Sequence, residues 1–600
     1  MLTMSFDLAT LRARYVNRTL TPMEVVEQII ERTASDPHTV WIHRLSDATL
    51  RAYATALSTQ DPSTLPLYGI PFAIKDNIDL ANVPTTAACP AFAYTPTQHA
   101  FVVQQLIDAG AIPIGKTNLD QFATGLNGTR SPYGPCRNAF DPDYVSGGSS
   151  SGSAVAVALG YCSFALGTDT AGSGRVPAML NNLVGLKPTL GLLSATGVVP
   201  ACRTLDTISL LCLTAADAAD VLGVVARTDA QDVYSRAFPA TTPLTFSDGG
   251  FRFGVPASAY LDYFGNDAGP ARFAAAIAAL EALGGTAVEI DFAPFMETAR
   301  LLYDGPWVAE RYAAIADFIE SQPDAILPVT SQIINNAKRF DAVATFKAQY
   351  RLQALKREAA ATWQSCDVIV MPSAGGHHTI AAMQADPIRL NTELGYYTNF
   401  VNLMDLSAIA VPAGMQADGL PFGVTLCAPA FADYQLVALA AGLQRQLSAT
   451  LGATQHALRD CDRDPTYVHP ARTIDIAVCG AHMRGLPLNH QLSSAGARFV
   501  MATKTQATYR FIALPGGPPH RPGLMRVVSG GAAIEVEVWR MPLLAYGAFV
   551  AGIPAPLGIG TVALDDGSTV QGFVCESAAS NGALDITHLG SWKAYLATIA

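Results

Sequence analysis

Ser146-Gly147-Gly148-Ser149-Ser150-Ser151-Gly152-Ser153-Ala154 is followed, after an apolar run, by Gly167-Thr168-Asp169-Thr170-Ala171-Gly172-Ser173-Gly174-Arg175-Val176-Pro177-Ala178. Two glycine/serine loops thus enclose one apolar segment, Ala154 to Gly160, which predicts a buried helix. Flexible linkers share the loop composition but do not enclose such a helix. A phosphate cradle would need G-x-x-x-x-G-K-[ST], or G-x-G-x-x-G after a strand, and neither is present. Gly148-Ser149-Ser150-Ser151-Gly152 does match G-x-S-x-G, which would make Ser150 the nucleophile of a strand–turn–helix elbow. The preceding Asn138-Ala139-Phe140-Asp141-Pro142-Asp143 is turn-like, so the elbow lacks its strand. Upstream, Gly69-Ile70-Pro71-Phe72-Ala73-Ile74-Lys75-Asp76 places Lys75 at the end of an apolar strand.

Outward from this stretch, short apolar runs alternate with helical patterns. Phe101 to Ala109 precedes Ala111-Ile112-Pro113-Ile114-Gly115, and the alternation resumes with Asp367-Val368-Ile369-Val370-Met371-Pro372 and Ala408-Ile409-Ala410-Val411-Pro412. This predicts an α/β domain with a largely buried sheet. Thr21-Pro22-Met23-Glu24 reads as a capped helix start, and the helical stretch Gln435 to Leu447 closes the domain. Asp460-Cys461-Asp462-Arg463-Asp464-Pro465 reads as a linker. Beyond Thr473 the chain is mostly strand. Ala533 to Trp539 alternates, and Asp565-Asp566-Gly567-Ser568 between two apolar runs signals a hairpin. The expected division is 1–450, a linker at 451–472, and a smaller α+β domain at 473–600.

Half the residues are apolar and 14% are charged, which excludes a disordered chain. With 38 basic against 49 acidic residues the net charge is −11, which argues against nucleic acid or an anionic membrane as the main partner. The ten cysteines form no C-x-x-C pair, so they read as buried thiols in a reducing compartment rather than as zinc or redox motifs. The uncharged stretch Tyr144 to Thr168 has too few firmly apolar residues for the roughly 20 that a membrane span needs. A cytoplasmic protein is the expectation.

Taken together, the three segments resemble the amidase signature family. Lys75 matches the lysine of its G-[IV]-P-x-x-x-K, Ser149 the first serine of its G-G-S-S-G-G-S, and Ser173 the serine of its T-D-x-G-G-S-x-R-x-P. The likeness runs through Gly115-Lys116-Thr117-Asn118 to Gly419-Leu420-Pro421-Phe422-Gly423-Val424; Lys116 is assigned no chemistry. Ser151, Ala171 and Gly174 depart from the usual glycine, glycine and isoleucine. The resemblance implies a mixed central sheet flanked by helices and a Ser-cisSer-Lys triad. In it Lys75 takes a proton from Ser149, which takes one from the nucleophile Ser173. Backbone N–H groups of Thr170, Ala171, Gly172 and Ser173 would face the oxyanion. Physical chemistry agrees on one point: a lysine serves as base only when neutral, and burial favours the neutral form.

Tyr303-Asp304-Gly305-Pro306-Trp307-Val308-Ala309-Glu310-Arg311-Tyr312 resembles a stretch of the allophanate hydrolases in which a tyrosine and an arginine hold the substrate carboxylate. The matching positions are Tyr303 and Arg311. Pro306 is expected to open a helix, with Tyr303 just before it and Arg311 on its second turn. Val478-Cys479-Gly480-Ala481-His482-Met483-Arg484-Gly485-Leu486-Pro487-Leu488-Asn489 resembles the start of that family's C-terminal domain. The fold of that domain is similar to γ-glutamyl cyclotransferases. In the family it is linked to breakdown of the first product, with the histidine at 482 implicated; read alone, a single histidine is more often structural. The resemblance implies cleavage of allophanate to ammonia and N-carboxycarbamate without a metal or organic cofactor. It also implies a homodimer and association with urea carboxylase or other pathway enzymes, while the charge balance speaks for no nucleic-acid or membrane partner. The alternatives are a generic small-molecule amidase or a glutamine-hydrolysing amidotransferase subunit, with 473–600 as a non-catalytic assembly module. The acidic charge and the extra domain count against the amidotransferase.

Overall fold

The structure, a computed structural model, describes residues 4–238, 250–458, 473–495 and 497–599. These fall into two compact units, one ending at 458 and one starting at 473. Of the segment read as a linker, residues 451–458 fold back on themselves, with Thr450 bridged to Ala457. The Asp460-to-Pro465 stretch and Cys461 lie outside the described residues.

The first unit is built on eleven strands: β1 (Trp41–Arg44), β2 (Pro71–Lys75), β3 (Ile112–Thr117), β4 (Phe164–Asp169), β5 (Val184–Lys187), β6 (Thr207–Cys212), β7 (Phe251–Pro256), β8 (Gly285–Ile290), β9 (Val368–Pro372), β10 (Leu406–Met415) and β11 (Pro421–Pro429). They form one mixed sheet in the order β1-β3-β2-β4-β6-β5-β10-β11-β9-β7-β8. β2 runs parallel to both its neighbours, β3 and β4. Every residue of β2 and β9 is buried, which explains why these strands read as unbroken apolar runs. Two strand ends therefore point the same way side by side, that of β2 at Lys75 and that of β4 at Asp169.

Local chemistry sets the helices that matter. Thr21 and Glu24 exchange hydrogen bonds in a reciprocal cap, and the helix Pro22–Arg32 follows. The helix between the two loops runs Ser151–Ala158, starting three residues before the apolar segment. Its serines can be buried because Ser151 Oγ donates to the Asn118 carbonyl at 3.2 Å and Ser153 Oγ to the Leu166 carbonyl at 2.9 Å. Among the described residues no helix is long and apolar enough to cross a membrane.

The second unit holds β12 (Thr473–Val478), β13 (Arg498–Lys504), β14 (Tyr509–Ala513), β15 (Pro522–Arg526), β16 (Glu535–Pro542), β17 (Leu557–Ala563), β18 (Thr569–Cys575) and β19 (Leu584–Asp585). Five strands order as β13-β16-β12-β18-β17, and three as β15-β14-β19. β17 and β18 are the hairpin read from the sequence, closed by Ser568 N–H on Asp566 Oδ1 at 2.8 Å. The alternation of Ala533 to Trp539 is kept as an in–out pattern only as far as Val536. β16 is an inner strand, and Val536, Glu537, Val538 and Trp539 are all buried. Glu537 tolerates burial by accepting from Arg484 N–H at 2.8 Å and Trp539 Nε1 at 3.2 Å. The nine described cysteines are free thiols, and only Cys575 is not fully buried.

Candidate active site

Lys75 ends β2 with its side chain wholly excluded from solvent. Its Nζ lies 2.8 Å from Ser149 Oγ and 2.7 Å from Thr168 Oγ1. Burial pulls the ammonium pKa down to about 7, although the charges of Asp120, Asp206 and Asp169 work against the shift. A large fraction of the amine is thus neutral at neutral pH, as a proton acceptor requires. The Gly148–Ser149 peptide is cis.

Asp120 ties this region together, and no sequence pattern marked it. Its Oδ2 accepts the N–H groups of Asn127 and Gly128, both at 3.1 Å, and its Oδ1 that of Arg130 at 3.0 Å. Its own N–H donates to the Ser149 carbonyl at 3.1 Å. A Cβ on Gly148 would sit 2.2 Å from Asp120 Oδ2, so only glycine fits there. Ser150, the elbow candidate, is fully occupied elsewhere. Its Oγ donates to the Thr168 carbonyl at 3.1 Å and accepts the Thr168 N–H at 3.2 Å.

Ser173 lies in the turn after β4 and is almost fully buried. Its Oγ donates to the Gly125 carbonyl at 3.4 Å, and no hydrogen bond joins it to Ser149. Asp169 shapes this turn. It accepts Gly172 N–H at 2.8 Å, Gly174 N–H at 3.1 Å, and a two-pronged pair from Arg175 at 2.9 and 3.0 Å. Burial pushes the Asp169 carboxyl up, but Arg175 and Lys187 outweigh it and hold the pKa below the ordinary range. Of the four N–H groups expected to face an oxyanion, that of Gly172 is therefore taken. Those of Thr170, Ala171 and Ser173 have no partner among the described residues. Gly172 has φ +125°, and a Cβ there would come within 2.3 Å of Thr398 Oγ1. The Thr398 hydroxyl donates to the Ala171 carbonyl at 2.6 Å. The Thr170 hydroxyl donates to Asp206, which also accepts the N–H groups of Ala201 and Cys202.

Arg311 is buried, with 3% exposure. It donates to the Ala123 carbonyl at 3.3 Å, to Thr124 Oγ1 at 3.2 Å and to Tyr303 Oη at 3.4 Å. Among the described residues no carboxylate lies within ion-pair distance of it. Tyr303 does not precede a helix opened by Pro306. It closes the helix Ala293–Asp304, and Arg311 stands on the next, Val308–Ala314. The Gly305 N–H reaches back to the Leu301 carbonyl and Ala309 N–H to that of Pro306, so the proline heads a tight turn rather than the helix itself. Lys116 is buried and paired with Asp76 at 2.9 Å, a closed ion pair.

His482 belongs to the second unit. Its Nε2 is 2.9 Å from Gln491 Oε1, and its ring stacks on Phe573 and meets Phe549 edge-on. Burial lowers its pKa, so the ring is neutral at neutral pH. It opens on a cavity of about 840 Å³ whose walls include Gln491, Arg521, Phe549 and Phe573.

Residues 24–437 match the family described as Amidase, and residues 474–597 match the Allophanate hydrolase C-terminal domain. The urea amidolyase of Saccharomyces cerevisiae is 44% identical over 571 residues, covering 92% of this chain and 31% of its own length. The chain thus spans 31% of the length of the two urea amidolyases it matches. A solved structure of Kluyveromyces lactis allophanate hydrolase is 40% identical with a TM-score of 0.82, covering 98% of this chain and 99% of that one. The crystal structure of the K. lactis urea amidolyase is 39% identical with a TM-score of 0.83, covering 99% of this chain and 37% of that one.

Proposed function

We propose a reaction from one premise: this chain belongs to the amidase family, and its residues 474–597 are an allophanate hydrolase C-terminal domain. The reaction is hydrolysis of the terminal amide of allophanate, a urea that carries a carboxylate on one nitrogen. The observation that carries this choice is Arg311, a buried cation whose partners are two neutral oxygens and a phenol. A buried cation without a carboxylate is costly, and a substrate carboxylate would complete it. The similarity to proteins named allophanate hydrolase and urea amidolyase supports the same substrate.

Ser173 Oγ attacks the terminal amide carbon while its proton passes through Ser149 to Lys75. The free N–H groups of Thr170, Ala171 and Ser173 stabilise the oxyanion. The C–N bond breaks, the leaving nitrogen takes the relayed proton, and ammonia departs. Water then opens the acyl-enzyme and N-carboxycarbamate leaves. In the second unit His482, neutral in its aromatic box, promotes the further breakdown of that product to carbon dioxide and ammonia. The name of the longer relatives, urea amidolyase, supports a place beside the enzyme that supplies allophanate from urea, namely urea carboxylase.

A substrate panel with ammonia detection tests the assignment. Allophanate should be turned over far faster than glutamine or a simple aliphatic amide. A preference for glutamine would replace it with the amidotransferase reading.

A further inference from the structure

A second cavity, of about 350 Å³, lies in the first unit, with Arg130, Tyr303, Gln332, Asn336, Asn391, Asn399 and the exposed Asp304 in its walls. It shares Tyr303 with the pair just described, but Lys75, Ser149 and Ser173 are not part of it. Arg130 has 3% exposure. Its Nη1 donates to the Thr124 carbonyl at 2.9 Å and its Nη2 to the Pro387 carbonyl at 2.6 Å, while Nε has no partner. Arg311 holds the same Thr124 through its hydroxyl. Two buried guanidinium groups are thus hung on one residue. Among the described residues neither forms an ion pair.

Asp120 and Asp206, the acids whose charge reaches these two guanidinium groups, are spent, and Asp304 in the cavity wall is exposed to solvent. Asp120 satisfies backbone N–H groups, and so does Asp206. Burial works against the charge of Arg130, and the like charge of Arg311 adds to that, with Asp120 only partly offsetting them. A guanidinium offers five donors, and backbone carbonyls use only two of the five here. Gln332, Asn336, Asn391 and Asn399 add side-chain amides that can also donate, beside the aliphatic Val308, Ile333 and Ile388. Uncompensated positive charge beside a polar void is the chemistry of an anion site.

We propose that this cavity is a second anion subsite, an antechamber where Arg130 holds a small organic carboxylate beside the Arg311–Tyr303 pair. The inference rests on reading that pair as a carboxylate clamp. Its ligand is either the substrate on its way in or the doubly charged product on its way out. Both share the carboxylate that Arg130 recognises.

The test uses Ser173→Ala protein, which does not turn over, titrated calorimetrically with malonate as a dicarboxylate probe. Two sites per chain are expected. Arg130→Gln should abolish one and Arg311→Gln the other, while Arg130→Lys, which keeps the charge, should retain both. A single site removed by Arg311→Gln and indifferent to Arg130→Gln would overturn the antechamber and leave the clamp standing. Two sites of which neither responds to Arg311→Gln would defeat the clamp and leave the Arg130 site. In otherwise unaltered enzyme, Arg130→Gln should raise KM for allophanate about tenfold if the subsite serves entry, or lower kcat if it serves release. A neutral amide should be unaffected. Equal losses on both substrates would make Arg130 a structural tie only.

Discussion

The site around Lys75 and the cavity around His482 solve opposite problems. The first is crowded: base, serines and threonine are buried and each hydroxyl has a named partner. The second is a void of about 840 Å³ walled mostly by small and aliphatic residues, with Phe549, Phe573 and one histidine. Crowding keeps the lysine out of solvent, and burial, helped by the charge of Arg311, shifts it to about 7 against three aspartates. A roomy cavity is therefore a poor guide to where a nucleophile is made, because a proton relay needs contact rather than space.

The contrast is broken most sharply at the nucleophile. Ser173→Ala should lower ammonia release from allophanate by roughly 10⁴–10⁶-fold, the scale on which triad members fail. Ser150→Ala should stay within about tenfold of the parent while losing on the order of 1–3 kcal/mol of stability, since it strands the Thr168 backbone groups. An inactive Ser150→Ala beside an active Ser173→Ala would reinstate the elbow.

The base comes next. Lys75→Met should cost roughly 10²–10⁴-fold in kcat. In the parent the neutral amine is the active form, so kcat should climb as pH rises through about 7 and level off above it. A flat profile across that range, or a Lys75→Met enzyme near the parent rate, would remove lysine from the relay.

Arg311→Ala should lower kcat/KM for allophanate by about 2–5 kcal/mol, roughly thirtyfold to several thousandfold, and a neutral aliphatic amide far less. Loss by the same factor on both substrates would mean that Arg311 only packs. The smallest effect is expected in the open cavity. His482→Asn should leave the first ammonia release unchanged and delay the second, read as ammonia formed per allophanate consumed. Unchanged stoichiometry and timing would make the second unit a non-catalytic module.

Much of the first site was legible because its signals are local. A glycine pair, a run of serines and a lysine closing an apolar strand each depend on near neighbours in the chain. Asp120, Asp206 and Arg130 were not legible, since each acts through partners that only the folded sheet and its loops assemble, such as Thr170 for Asp206 and Pro387 for Arg130. Tyr303 was misplaced by a residue-type rule. Proline favours a first helical turn, but the preceding helix persists to Asp304 and pushes Pro306 into the turn between two helices. The alternation at Ala533 to Trp539 located a strand, but it did not foretell that Glu537 and Trp539 would be buried along with Val536 and Val538 on an inner strand.

The sheet order also carries a consequence for how the protein is made. β5 pairs with β10, setting Lys187 against Ala408 and Leu186 against Ile409. At ~5–20 residues per second, a ribosome needs on the order of 10–40 s to synthesise the chain between those strands. Until then the growing polypeptide presents Val184 and Leu186 on an open strand edge, both fully buried in the finished fold. Such an edge invites pairing with a stranger. The chain must spend that interval shielded, by the tunnel, by a chaperone or by its own intervening helices, before the two halves of the sheet can be joined.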